Sequence, residues 1–277
     1  MYVSLNGTLV AGRVPWPEFA QLAAAEKFPG VDVAIAPAME QGLSPTRKLL
    51  TDLHLKPAVT GLPVEFRRDE ETFRKGLEQL EAAAQFSAAI GCPRMTTWIP
   101  SWCELPKAEQ RKIWLERFKR CAGILARSNV RFGLEFLGPL HLRRRGPHEF
   151  IWRMDEMLAF AADCGPNVGV LLDSWHWHHA GGTAKDIEST PEARIVHVQV
   201  ADSQDLPPEK IVDSERLMPG EGVADLTGFF QALRKIGYAG GVSPEVFGRG
   251  LKEMDPKAGA KLGLETTLAV MKKAGVV

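Results

Sequence analysis

Four side chains able to hold a metal or move a proton sit late in four apolar runs of this chain. Glu135 closes Arg131-Phe-Gly-Leu-Glu, Asp173 closes Val168-Gly-Val-Leu-Leu-Asp, His197 lies in Arg194-Ile-Val-His-Val-Gln-Val, and Glu245 lies in Gly241-Val-Ser-Pro-Glu-Val. Buried apolar runs rarely carry an acid alone, because an unpaired ionised carboxylate in a low-dielectric interior is very costly. Glu135, Asp173, His197 and Glu245 therefore read as one convergent site, a ligand set for a single divalent cation. Oxygen-rich ligation leans toward Mn2+, the favoured ion, or Mg2+; the histidine keeps Co2+ and Zn2+ open.

The elements that must carry these residues follow from hydrophobic periodicity. Strands are expected at 2–5, 31–35, 56–61, 94–99, 131–136, 168–173, 194–201 and 241–246. Helical spacing follows Pro15 and Pro17 through Phe28, and recurs over 69–90, 106–128, 148–164, 225–236 and 257–273. Ser44 and Pro45 suit the N-cap and first position of a helix running to about His54, and a short piece is expected at 184–188. Eight strands alternating with helices predict an α/β fold whose parallel sheet is covered by helices. In 277 residues the fitting form is a (β/α)8 TIM barrel, one domain over 1–277. No Gly-rich dinucleotide fingerprint follows the first strand. Catalytic groups of such barrels lie at the carboxyl ends of the strands, where all four residues fall. Gly133 shares a face with Glu135, and Gly169 and Leu171 share one with Asp173, which suits a packed interior below a site. The stretch 202–222, rich in Pro, Gly and Glu, reads as a long loop over the active face.

Composition narrows the function classes. Lys plus Arg and Asp plus Glu both number 34, a net charge of +0 that speaks against nucleic acid or an anionic membrane and for a small ligand. Cys92, Cys103, Cys121 and Cys164 form no Cys-x-x-Cys pair, and no apolar run approaches the ~18 residues needed to span a bilayer. The expectation is a cytoplasmic protein.

Gly-Leu-Glu-Phe-Leu-Gly-Pro around Glu135, Leu-Asp-Ser-Trp-His ending on His176, Val-His-Val-Gln-Val-Ala-Asp around His197, Arg-Leu-Met-Pro-Gly-Glu-Gly from Arg216 and Ser-Pro-Glu-Val at Glu245 resemble the xylose isomerase-like TIM-barrel superfamily. Within it they are most similar to the sugar phosphate isomerase/epimerase group. The resemblance implies that Glu135, Asp173, His197 and Glu245 ligate the metal and that Glu135 and Glu245 also form the proton-transfer pair. It implies that His176 and Arg216 contact substrate, a carbohydrate or keto-polyol, and that dimers or tetramers are common. The chemistry would be isomerisation or epimerisation through an enediolate, with one glutamate removing a carbon-bound proton and the other returning it. An inosose-type dehydratase using the same metal and base is the alternative. An endonuclease IV-like enzyme is more remote, since the third and fourth strands end without histidine and no Asp-x-His precedes Gly220.

The chain departs from the ketose 3-epimerase pattern after the first ligand. There it offers His141 and the triplet Arg143-Arg144-Arg145, which could bind a substrate phosphate or carboxylate or simply be a solvated basic loop. Trp98 and Trp175 follow or end strands and are expected to wall an apolar pocket. His178 and His179 read as loop residues, and Cys103 as an unreactive thiol.

Overall fold

The computed structural model describes residues 1–277. Eight parallel strands close into a barrel: β1 Tyr2–Leu5, β2 Gly30–Val33, β3 Lys56–Gly61, β4 Arg94–Trp98, β5 Arg131–Glu135, β6 Val168–Asp173, β7 Ile195–Val200 and β8 Gly241–Pro244. Each pairs with its neighbours in the chain, and β8 closes on β1 through Gly241 opposite Tyr2. The expected fold and strand order are those observed; the strand ends differ by a residue or two, where hydrogen-bonding definitions fray.

The helices are α1 Glu18–Ala25, α2 Ile35–Gln41, α3 Leu43–Asp52, α4 Glu70–Ala89, α5 Lys107–Arg127, α6 Leu140–Arg143, α7 Met154–Cys164, α8 Ser174–His179, α9 Ala184–Glu188, α10 Leu226–Lys235 and α11 Pro256–Lys273. Asp69 and Asp225 cap α4 and α10 by accepting from the N–H groups of Thr72 and Gly228, which satisfies donors that have no partner inside the helix. Phe66, Trp114, Phe118 and Phe150 pack edge-on or tilted between α5 and the barrel, with ring centroids 4.6 to 5.8 Å apart. Such pairs add about 0.5–1.5 kcal/mol each beyond the area they bury.

Three local expectations are corrected. The second strand stops at Val33, and Ile35 opens α2, unforeseen because its seven residues give too short a periodic signal. Helix α3 then starts at Leu43 rather than on a Ser44 cap, because Gly42, at φ +97°, turns the chain directly from α2 into it. The helix expected over 148–164 starts only at Met154; His148–Glu149 pairs antiparallel with Trp102–Cys103.

The stretch 202–222 is anchored rather than loose. The Asp202 carboxylate accepts from the backbone N–H groups of Ser203, Gly220, Gly222 and Ala224 at 2.8 to 3.0 Å. Gly222 lies so close that a Cβ would stand 2.1 Å from the Ser203 carbonyl oxygen. This clasp carries Arg216 over the mouth of the barrel. No helix is long and apolar enough to cross a membrane.

Candidate active site

Strands β5, β6, β7 and β8 deliver the polar groups at one end of the barrel. Asp173 ends β6 and also caps α8: Oδ1 accepts the Trp175 N–H at 2.8 Å, while Oδ2 accepts Arg216 Nη1 at 2.7 Å. His176 follows one turn into α8, its Nε2 standing 3.6 Å from Glu135 Oε1 and 4.0 Å from Asp173 Oδ2. Ligand atoms of Glu135, Asp173 and His176 all lie within 4.8 Å of one another. The guanidinium of Arg216 also reaches Glu245 Oε2 at 3.2 Å, Asp213 Oδ1 at 2.9 Å and His176 Nε2 at 3.1 Å. Trp175 and Phe247 flank it, each 4.7 Å from the guanidinium carbon, so this cation is buried against two aromatic faces and fully paired. Because a guanidinium only donates, His176 Nε2 must accept, which makes the imidazole neutral.

His197 is not in this cluster. Its Nε2 is 2.8 Å from Ser243 Oγ, and Ser243 Oγ in turn donates to Asp32 Oδ1 at 2.8 Å, so the imidazole is the donor to Ser243. Gly241 makes room for the ring: a Cβ there would sit 3.4 Å from His197 Cε1 and 2.8 Å from the Ala58 Cβ. The correction follows from the pleat. Side chains on one face recur every second residue, so the inward group nearest the mouth of β7 is Gln199, two residues beyond His197. Gln199 Nε2 donates to Glu245 Oε1 at 2.8 Å, and its Oε1 is buried without a partner. Alternation along β7 places His197 and Gln199 on the same face, and only the partners the fold brings to each show that Gln199 is the one beside Glu245.

Glu135, Gln199, Glu245, Leu171, Thr96 and Trp98 line a cavity of about 540 Å3, together with Arg67 and Glu65 at its rim. Trp98 is 46% exposed and faces that space, its ring covered at 4.0 Å by Arg67, whose Nη1 is held by both oxygens of Glu65. Trp175 is instead buried behind Arg216. His141 acts at one remove, its Nε2 accepting from the backbone of Asp213 at 3.3 Å. Arg143 stacks on Trp152 at 3.8 Å, Arg144 and Arg145 are exposed, and none of the triplet lines the cavity. His178 and His179, expected in a loop, belong to α8, where His179 Nε2 meets Ser203 Oγ.

Residues 18–273 match the family described as Xylose isomerase-like TIM barrel. The chain belongs to that family. Among curated relatives, the inosose isomerase of Halalkalibacterium halodurans is 25% identical over 79% of this chain and 77% of its own length. The 3-dehydroshikimate dehydratase of Pseudomonas aeruginosa is 28% identical over 98% of this chain, which spans about two fifths of that longer protein (41%). A solved xylose isomerase domain protein from Alicyclobacillus acidocaldarius superposes over 99% of both chains with a TM-score of 0.91 at 28% identity. These curated relatives are enzymes, an isomerase and a dehydratase.

Within this xylose isomerase-like barrel the electrostatics favour a bound cation. Burial, then the like charges of Glu245 and Asp173, hold the Glu135 carboxyl well above the ordinary carboxylate range. Burial likewise pushes Glu245 up to about 7, against the pull of Arg216. Burial also raises Asp173 in spite of Arg216, and burial with Arg216 beside it keeps His176 far below the usual imidazole range. Glu135 Oε1 and Gln199 Oε1, both buried and unpartnered, are oxygen acceptors with nothing to accept from. The ligand atoms of Glu135, Asp173 and His176 lie close enough together to hold one divalent ion, and Gln199 and Glu245 line the adjoining cavity.

A stability signature follows. Between about 4.5 and about 7 the folded protein keeps on Glu245 a proton that the unfolded chain has released. In the ion-free protein, stability carried by this group is therefore full below about 4.5 and falls as pH rises to about 7. Urea midpoints taken with a chelator at pH 5 and pH 8 should fall more across that interval for the native protein than for Glu245→Gln. An equal fall in the two proteins would contradict the assignment.

Proposed function

We propose that the protein is a divalent-metal-dependent isomerase or epimerase of a small keto-polyol or sugar, with Glu135 and Glu245 as its proton-transfer pair. The carrying observation is that two glutamates from strands three apart around the barrel share one cavity and both bind protons far more tightly than an exposed glutamate. A pKa near 7 suits a group that must take and return a proton at neutral pH. Glu135, Asp173, Gln199 and Glu245 would hold the ion, whose Lewis acidity makes a proton beside a carbonyl easier to remove. Neutral His176 and the rigidly held Arg216 would orient the substrate oxygens, and Arg216 supplies fixed positive charge toward a developing enediolate. Trp98 would cover the substrate carbons and exclude water from that face.

The relative matched over 98% of this chain, a dehydratase, favours a second reading in which loss of a neighbouring hydroxyl follows the same proton abstraction. Incubation with keto-polyols in deuterated water separates the two, since an isomerase or epimerase product gains deuterium at unchanged composition and a lyase product lacks one water. No deuterium exchange with any keto-polyol in metal-loaded protein would remove both readings. The ligand set is tested separately by metal titration. Gln199→Leu should weaken Mn2+ binding about 10-fold or more, as loss of a ligand or its immediate support does. His197→Asn should leave Mn2+ affinity nearly unchanged, and the reverse pattern would restore His197 as the ligand.

A further inference from the structure

A second cavity, of about 490 Å3, adjoins the one that holds the glutamates. Val14, Pro15, Trp16, Phe19 and Pro37 give it apolar walls, and the indole of Trp16 is fixed by its N–H donating to Gln41 Oε1 at 2.8 Å. Its polar lining includes Asn6 and the carboxylate of Asp32, which is held by Ser4 Oγ at 2.6 Å, Asn6 Nδ2 at 3.0 Å and Ser243 Oγ at 2.8 Å. No lysine or arginine lines this cavity. An anionic group would meet Asp32 uncompensated, and a charged group of either sign would lose its hydration against the apolar walls, so the space suits an uncharged occupant.

Both cavities are lined by Gly61, Thr96 and Gln199, so they lie side by side and meet at these residues. Gly61 ends β3 and is exposed; a Cβ there would meet nothing within 4 Å. Each cavity by itself falls in the range of roughly 300–1,000 Å3 that encloses a whole small ligand. A free monosaccharide would leave one of them empty.

Resting on the assignment of the first cavity as the polyol end, we infer that the second cavity binds an uncharged apolar or aromatic group joined to the reacting polyol. The substrate then spans the junction at Gly61, and Trp16 and Phe19 determine which group it carries. Burying an aromatic ring there should tighten binding about tenfold or more. Gly61→Val should obstruct the junction without clash, because its backbone lies outside the left-handed region and valine suits a strand end.

Calorimetry on the Mn2+-loaded protein with phenyl β-D-glucopyranoside and methyl β-D-glucopyranoside tests this. The phenyl glycoside should bind at least tenfold more tightly. Gly61→Val and Trp16→Ala should each abolish that preference, Gly61→Val at an unchanged thermal midpoint. Equal affinities in the native protein, a preference that survives Gly61→Val, or no binding of either glycoside would overturn the inference. Its failure with deuterium exchange intact would leave the catalytic reading standing. A tenfold phenyl preference without exchange on any keto-polyol would instead remove the catalytic reading and retain the cavity as a binding site.

Discussion

Replacing Glu245 with glutamine is expected to cut solvent-deuterium incorporation into substrate by about 10²–10⁴-fold, the usual contribution of a positioned general base or acid. The change preserves shape and removes the capacity to hold a proton. Glutamine can still accept from Gln199 Nε2 or from Arg216, the two partners of the native carboxylate at 2.8 and 3.2 Å, so the barrel should remain folded. Glu135→Gln should be equally inactive if each face of the substrate needs its own base. Glu65→Gln, at the rim of the same cavity and paired with Arg67, provides the control and should stay within a few-fold of the native rate. Exchange at the native rate in Glu245→Gln would sink the two-base mechanism.

Arg216→Met should be the most destabilising single substitution at the site, costing about 3–5 kcal/mol at neutral pH, as removal of one partner from a buried ion pair does. Arg216 is 2% exposed and balances Asp173, Glu245 and Asp213 at once. Burial acts to lower its pKa, but the surrounding carboxylates outweigh burial and raise it, so it stays charged throughout. Without it Asp173 and Glu245 lose the group that holds their proton affinities down. Their folded pKa values would climb further, and the loss measured by urea unfolding should be larger at pH 8 than at pH 5, where the acids can shed their charge. A loss of less than 1 kcal/mol, or one independent of pH, would mean that the acids find another countercharge. Arg216→Lys should recover part of the stability, since it restores the charge but not the planar fork that reaches several oxygens together.

Much of the architecture was legible in order along the chain. Eight apolar runs alternating with helical spacing predict the barrel, and the acids that end the runs at Glu135 and Asp173 mark the end of the barrel that carries the site. Asp69 and Asp225 mark helix starts through local hydrogen bonding, which needs no distant partner. Short elements were not legible: α2 and α8, of seven and six residues, are made by neighbouring packing and by the Asp173 cap rather than by their own periodicity. The basic triplet stayed open between an anion site and a solvated loop because sequence shows charge but not direction, and the fold turns Arg143 onto Trp152.

The order of apolar runs and helical spacings therefore determined by itself that this chain is a barrel with acids gathered at one end, because alternation and burial act within a few residues. Which polar group of β7 reaches the mouth was decided only by the closed barrel. Ser243, itself held by Asp32 from a strand far away in sequence, binds His197 below the site, and Gln199 is left beside Glu245. The same holds for Arg216, a loop residue that becomes the central countercharge only because the Asp202 clasp folds its loop over the strand ends.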